Sequence, residues 1–360
     1  MQLKIATVNV DGLRVDSSTG RHTSAVQARV LAERIRAIRA DIVTLQGLDG
    51  ASTLEQFRAD DGGLAEAYPF GAAFPSNGDG SAPGALGILS RLPLGPITTW
   101  QHARSTDDSA VPLFRRNTIE VHIVDNGVAI LVLYIVHMPD AMVDQQPANE
   151  LADSRGREAA ALADIIAARA SRRTALAVLG TFGTDPHASE LEPLIQAATV
   201  PLVDGLAHAR ELPEYQATPR PASQRWTVRP PGDPSGYGCW NHIWISPNLG
   251  RRLIEAGIAR RSNPRGDGTR YDPAWVTLDV SGAPNTDQMR EHRLPVGSTQ
   301  RERISSGDRT SRVGRGISRN PGRPRPRAAM GDSGRADLVT PDGGPVAARV
   351  ARARPTTVSV

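Results

Sequence analysis

The chain has 360 residues, 42 lysines and arginines against 38 acidic residues, and 39% hydrophobic content. That length allows two domains or one large one with appendages. No run approaches the roughly 18–20 apolar residues of a membrane span, and a single cysteine, Cys239, excludes an internal disulfide framework and any zinc site of several thiolates. The first residues lack the charged start, long apolar middle and cleavage site of a secretory leader, so a cytoplasmic protein without a membrane partner is expected.

Taken in chain order, residues 1–282 alternate strand-like and helix-like segments. Lys4–Val10 alternates as a strand and ends in the turn signal Asp11-Gly12. Ser24–Arg39 places Val26, Val30, Leu31, Ile35 and Ile38 at helical spacing, with Ser24 as N-cap. Asp41–Gln46 and Ala85–Ser90 read as short buried strands. Asn117–Val124 and Val128–Val136 flank Asp125-Asn126-Gly127 and predict a hairpin. Ser154–Ala170 is a helix with Leu162, Ile165 and Ile166 inward, leading into the strand Ala175–Gly180. A short helix over Ser189–Ala198 and strands over Trp240–Ser246 and Ala274–Val280 complete the domain. Interleaved hairpins argue for an α/β sandwich over a purely parallel doubly wound sheet.

Residues 283–360 differ in kind. They carry 15 arginines and 7 acidic residues, so the formal +4 of the whole chain is made by this segment. It has 17 glycines and prolines, no aromatic residue and no sustained period, and is expected to be disordered because it offers too little apolar surface to offset chain entropy. Its arginines are candidates for contact with nucleic acid by counterion release, against the plainer alternative of a solvated segment with no partner. Oligomeric state is not readable.

The strand ends carry the chemistry. KIATVNVDGL ends its strand in Asn9; ADIVTLQGLDG, VLYIVHMPD with His137, and LAVLGTFGTDPHAS follow in order, supported by ALGILSRLPL and WNHIWISPNL. Together these six segments resemble the endonuclease/exonuclease/phosphatase superfamily over roughly residues 2–282. The resemblance implies a DNase I-like four-layer α/β (α+β) sandwich, two mixed sheets flanked by helices. It also implies Mg²⁺-dependent hydrolysis of phosphodiesters or phosphomonoesters. In such a family a strand-end glutamate holds the metal, a Gly-Asp-Phe-Asn stretch supplies a water-activating aspartate and a phosphate-contacting asparagine, and a histidine such as His137 stabilises phosphoryl charge.

Here the pattern departs. Gly47 stands at the metal glutamate, Thr181 and Gly183 replace the aspartate and asparagine of Gly-Asp-Phe-Asn, and Asn241 replaces a carboxylate. The final Asp-His pair is matched by Asp272-Pro273, which a strand follows directly; Glu291-His292 is a rival match without such a strand. Asn9, His137 and Asp272 are thus retained as candidate catalytic residues. Gly47, Thr181, Gly183, Asn241 and Pro273 are replacements that bring no metal-holding charge, so a weakly active or inactive relative is expected. Arg116 and Arg157 are candidate phosphate ligands for a phosphate-bearing molecule. Asp49 and Asp185 are the candidates for a relocated metal site in an active phosphoesterase, although their plainer reading is as turn residues. His242 reads as a structural histidine, and Cys239 as a buried thiol with no evident histidine partner.

Overall fold

A computed structural model describes residues 1–16, 21–22, 25–61, 63–77, 84–104, 112–144, 146–207, 226–228, 238–259, 270–281 and 356–358. The elements are, in order, β1 (Gln2–Leu13), β2 (Val15–Asp16), β3 (Arg21–His22), α1 (Ala25–Ile38), β4 (Ile42–Leu48), α2 (Ala51–Gln56), β5 (Phe70–Phe74), β6 (Ala85–Ser90), β7 (Leu94–Thr99), β8 (Thr118–Asp125) and β9 (Val128–His137). They continue with α3 (Ala148–Arg169), β10 (Leu176–Thr181), α4 (Glu192–Ile195), β11 (Val203–Asp204), β12 (Asn241–Ile245), α5 (Pro247–Gly250), β13 (Leu253–Ile258), β14 (Ala274–Asp279) and β15 (Thr356–Val358).

Two mixed sheets form the centre. One has the order β13-β14-β1-β4-β6-β5; the other runs β11-β12-β10-β9-β8-β7 and ends on the short β15, which pairs antiparallel with β7. Their facing sides meet through Ile5, Ile42 and Ile88 from the first sheet and Ile119, Leu133, Leu179 and Ile243 from the second. The period-2 alternation of the strands sends Ala6, Val8, Val43 and Leu45 the other way, where α1 covers them with Leu31, Ile35 and Ile38. On the far side, Val132, Tyr134, Val178 and Trp244 meet Leu162, Ile165 and Ile166 of α3. The result is the expected four-layer α/β sandwich, with both sheets buried on both faces.

Each sheet contains one parallel pair, β1–β4 through the crossover helix α1 and β9–β10 through α3. Parallel pairing puts the carboxyl ends of both strands at the same edge, which is where open α/β sheets collect functional groups. The predicted hairpin forms as β8 and β9, and its two-residue loop has Asn126 and Gly127 at φ 50° and 80°, as a type I′ turn requires.

Some expectations are corrected. Asp11-Gly12 does not end the first strand: both residues take positive φ inside a bulge, where the three residues between Asn9 and Leu13 stand opposite the one between Gln46 and Leu48. Val26 lies on the solvent side of α1 at 55% exposure. The helix expected over Ser189–Ala198 is a 3₁₀ turn at Ser189–Leu191 followed by the four-residue α4. The strands β5, β7 and β13 were not anticipated. Ser24, Glu291-His292 and the Arg-rich segment apart from β15 lie outside the described residues, as does the whole of a second contact unit, Glu291–Ala347. Among the described residues no helix is long and apolar enough to cross a membrane.

Lys4, the only lysine of the chain, lays its ammonium on the Trp275 ring, 3.6 Å from the ring centroid, and burial lowers its pKa.

Gly180 is the tightest point of the β9–β10 pair. Its φ is 148°, and a Cβ there would meet the Val136 carbonyl oxygen at 2.0 Å. Gly180→Ala is expected to cost about 3 kcal/mol or more, from strain and overpacking combined. Urea unfolding measures it, and a loss below about 1 kcal/mol would mean that the two strands separate at little cost.

Candidate functional site

Register places the retained and replaced residues together. In the second sheet Thr181 pairs with His137 on one side and with Asn241 on the other, so the three stand in one row at the end of β10. Asn9 reaches this row from the end of β1 in the facing sheet. Its Nδ2 donates to Thr181 Oγ1 at 3.0 Å; the Thr181 hydroxyl donates to Asn241 Oδ1 at 2.8 Å; Asn241 Nδ2 donates to the Asp272 carbonyl at 3.4 Å. Asn9 Oδ1 accepts the backbone N–H of Asp11 at 2.9 Å. All three side chains are at most 2% exposed. The chain is directional, neutral throughout and satisfied at each member.

Asp272, the retained acid, is paired with a residue of α1. Its Oδ1 receives Arg34 Nη2 at 2.7 Å, and the same guanidinium donates to the carbonyls of Tyr271 and Ala259. Asp272 is 1% exposed, so its charge is matched inside the protein. The strand that the sequence pattern requires after Pro273 is present as β14.

At both positions where glycine replaces a side chain the backbone has positive φ; a Cβ is crowded at Gly47 and has no room at Gly183. Gly47 sits at φ 83° in an irregular stretch of β4, and a Cβ on it would lie 3.2 Å from Asn9 Oδ1. Gly183 sits at φ 69°, and a Cβ there would lie 2.2 Å from the Pro139 carbonyl oxygen. The local backbone has been built around glycine at both positions.

His137 is 2% exposed, and neither ring nitrogen has a hydrogen-bond partner; Asp140 Oδ2, 3.7 Å away, also lacks one. Burial, then the nearby positive charge of Arg116, holds the histidine below its ordinary pKa, so the ring is neutral at pH 7. The other Asp140 oxygen accepts the backbone N–H groups of Met142 and Val143. Asp140 escaped the sequence reading, although its position three residues after His137 was the available signal.

The remaining candidates scatter. Arg116 is buried, bonded to Asp144 at 2.7 Å and to the Met138 carbonyl at 3.2 Å; its fork is used to hold the end of β9. Arg157 is exposed on α3, whereas Arg155, two residues earlier, points inward to Glu190 and the Pro139 carbonyl. Asp49 is exposed beyond β4, and Asp185 accepts the backbone N–H of Cys239 at 3.0 Å. Cys239 does have a histidine neighbour, contrary to expectation: its Sγ lies 3.5 Å from His242 Nδ1. Cys239 lies outside β12, so the alternation of a strand does not separate the two side chains.

Mg²⁺ keeps a tightly bound shell of oxygen ligands and is drawn out of water by carboxylate charge. At these strand ends the amides and hydroxyl are neutral and mutually bonded, Asp272 is paired with Arg34, and a single carboxylate oxygen, Asp140 Oδ2, is left unbonded. The residues present do not fit the ion, and among the described residues no group of three or more His, Cys, Asp or Glu side chains is placed to hold a metal.

A sandwich of two mixed sheets with this row of residues at its strand ends defines the DNase I-like class. The profile of the Endonuclease/Exonuclease/phosphatase family matches residues 6–263, and the chain belongs to that family. Among solved structures it is similar to an endonuclease/exonuclease/phosphatase from Beutenbergia cavernae, with TM-score 0.53, 14% identity, and 78% of this chain and 72% of the other covered. It is also similar to sphingomyelinase C from Streptomyces griseocarneus, with TM-score 0.51, 14% identity and coverages of 78% and 100%. A humanised D. rerio TDP2 gives TM-score 0.50, 13% identity and coverages of 77% and 99%. At such identities the likeness is one of fold. No curated protein matches the sequence significantly.

Beside the row, Glu158 of α3 is buried, with Oε1 accepting the backbone N–H of Arg115 at 3.0 Å. Burial pushes its carboxyl up to about 7 from an ordinary 4.5. The folded state therefore holds this proton more tightly than the unfolded chain does. The stabilisation is complete below about pH 4.5 and is lost as pH rises through about 7. Glu158→Gln keeps the acceptor oxygen and removes the ionisation. It is expected to melt with wild type at about pH 5 and above wild type at about pH 8.5, by up to about 3 kcal/mol. Thermal melts at both pH values test this; a variant no more stable than wild type at the higher pH overturns it.

Proposed function

We propose that this chain is a non-catalytic or nearly inactive member of its family, which keeps the strand-end scaffold and binds a phosphate-bearing ligand without hydrolysing it. The observation that carries the reading is the backbone at Gly47 and Gly183. Side chains are absent there, the positive φ at both disfavours any, and at Gly183 the Pro139 carbonyl leaves no space for one. The neutral Asn9–Thr181–Asn241 chain and the Arg34–Asp272 pair support it, because Asp140 beside His137 is then a single carboxylate where a divalent cation is ordinarily held by several oxygen ligands. Losing several catalytic groups at once removes several orders of magnitude of rate.

Binding rests on His137. A neutral imidazole that makes no hydrogen bond, and only the longer 3.7 Å contact with Asp140, has an N–H to give to a phosphate oxygen that reaches it, and Asn9, whose Oδ1 and Nδ2 are already engaged, fixes the neighbouring backbone. Arg116 acts indirectly by holding Met138 and Asp144.

The test is hydrolysis of bis-p-nitrophenyl phosphate by the full chain with Mg²⁺ or Mn²⁺, alongside calorimetric titration with each metal and with inorganic phosphate. Expected are no turnover above the buffer rate, no divalent-metal binding, and phosphate binding that His137→Ala abolishes. Turnover with tight metal binding would instead support an active phosphoesterase with relocated ligands. Failure of phosphate to bind would overturn the binding half of the proposal.

A repair variant gives a second check. Gly47→Glu is expected to lower the melting temperature, by about 1–3 kcal/mol of strain at a positive φ, and to restore no turnover. A Gly47→Glu variant as stable as wild type that gains metal-dependent hydrolysis would show that the site lacked only its glutamate.

A further inference from the structure

Outside the row, a thiol, an imidazole and a carboxylate stand in series. Cys239 Sγ is 3.5 Å from His242 Nδ1, and His242 Nε2 is 2.9 Å from Asp204 Oδ1. The imidazole is fixed by more than these contacts: it packs against Trp244 with ring centroids 4.7 Å apart. Asp204 is fixed by the backbone N–H of Leu206, which Oδ1 accepts at 2.7 Å, and by the pairing of β11 with β12. The Cys239 backbone is held by Asp185 at 3.0 Å. Nucleophile, base and orienting carboxylate in this arrangement are the recurring means by which a protein activates a weak nucleophile.

The direction of proton transfer follows from the order of the groups. The Asp204 carboxylate, 2.9 Å from Nε2 but out of line for a hydrogen bond, acts through its charge: it favours a proton on that nitrogen, with Nδ1 as the acceptor that faces the sulfur. Transfer of the thiol proton to Nδ1 makes an imidazolium flanked by a thiolate and a carboxylate, and each neighbour stabilises the central charge. A thiol in plain apolar surroundings has no such outlet.

Size restricts what reaches it. Cys239 is 6% exposed and the imidazole is buried, which disfavours a bulky acyl or glycosyl donor and leaves a small reactant as the one to test. We propose that Cys239, His242 and Asp204 form an oxidisable thiol site whose reactant is a small hydroperoxide. The thiolate attacks one peroxide oxygen; the S–O bond forms as the O–O bond breaks, and the leaving hydroxide takes the proton held on His242 and departs as water. Cysteine is oxidised to the sulfenic acid and the peroxide is reduced. Cys239 is the only cysteine, so no internal disulfide resolves the product, and an external thiol must reduce it. This site uses residues other than those of the phosphate-binding proposal and does not depend on it.

The single cysteine makes the measurement unambiguous. The full chain is treated with hydrogen peroxide at about pH 7, and sulfenic acid is trapped with dimedone and followed by mass spectrometry, in parallel with chain unfolded in guanidinium. Native protein is expected to react at least about tenfold faster than the unfolded chain. His242→Gln and Asp204→Asn are each expected to lose about fivefold or more of that rate while keeping the wild-type circular dichroism spectrum. Should His242→Gln fail to fold, Asp204→Asn and the native-to-unfolded ratio decide. A native rate no higher than the unfolded rate overturns the proposal. So does a folded His242→Gln that reacts like wild type. Fast alkylation by iodoacetamide without reaction toward peroxide overturns the choice of reactant.

Discussion

One hydrogen bond ties the two sheets together at their strand ends: Asn9 at the end of β1 donates to Thr181 at the end of β10. The two residues are far apart in sequence and belong to separate sheets, so the bond fixes how the strand ends face each other. Thr181 passes the constraint to Asn241, and Asn241 passes it to the backbone at Asp272, just before β14 returns alongside β1. A loop of structure is closed by amides and a hydroxyl alone. In low-dielectric surroundings such a neutral chain is strengthened by burial and carries no desolvated charge. The same groups that make the edge rigid make it unattractive to a cation.

Charge is present nearby but spent on architecture. Arg34 joins α1 to the segment before β14; Arg116 and Asp144 join the start of β8 to the turn after β9; Arg155 and Glu190 join α3 to the 3₁₀ turn. Asp11 holds Arg270 through paired contacts, closing the bulge in β1 onto the segment that leads to β14. A buried charge left without a partner costs several kcal/mol, so each guanidinium here is bound to its carboxylate by folding itself. His137 lies close enough to Arg116 and Asp144 to feel their charge, and neither of its ring nitrogens is hydrogen-bonded in the described structure.

Much of this was legible beforehand. The central strands announced themselves because burial on both faces demands apolar residues at every position, as in ILVLYIV and LAVLG, and the Asn-Gly loop named its own hairpin. The row of Asn9, His137, Thr181 and Asn241 could be located because strand ends carry local motifs. What escaped has a common cause. β5 and β13 are edge strands, and β7 is flanked on one side only by the short β15; Phe70 and Ile254 are exposed, so these segments take their form from a neighbour's backbone more than from their own pattern. Arg34, Asp140, Glu158 and the Cys239–His242 contact depend on three-dimensional placement. A charged residue on a helix looks solvated in sequence until the strand beneath it supplies a partner. A Cys and a His three residues apart look opposed until the backbone between them is seen to depart from a strand.

The placement of Lys4 has a consequence of another kind. Amines on side chains are the handles by which proteins are acetylated, conjugated to other proteins, and labelled or cross-linked by common reagents. This chain offers a single one, half-buried in the second position-pair of its first strand and held over an indole face, so its lone pair is shielded on one side and its motion is confined. Chemistry of that class therefore meets a surface built almost wholly on guanidinium groups. Marking or capturing this protein through nitrogen falls to its amino terminus, while every cut made after a basic residue, save one, is a cut after arginine.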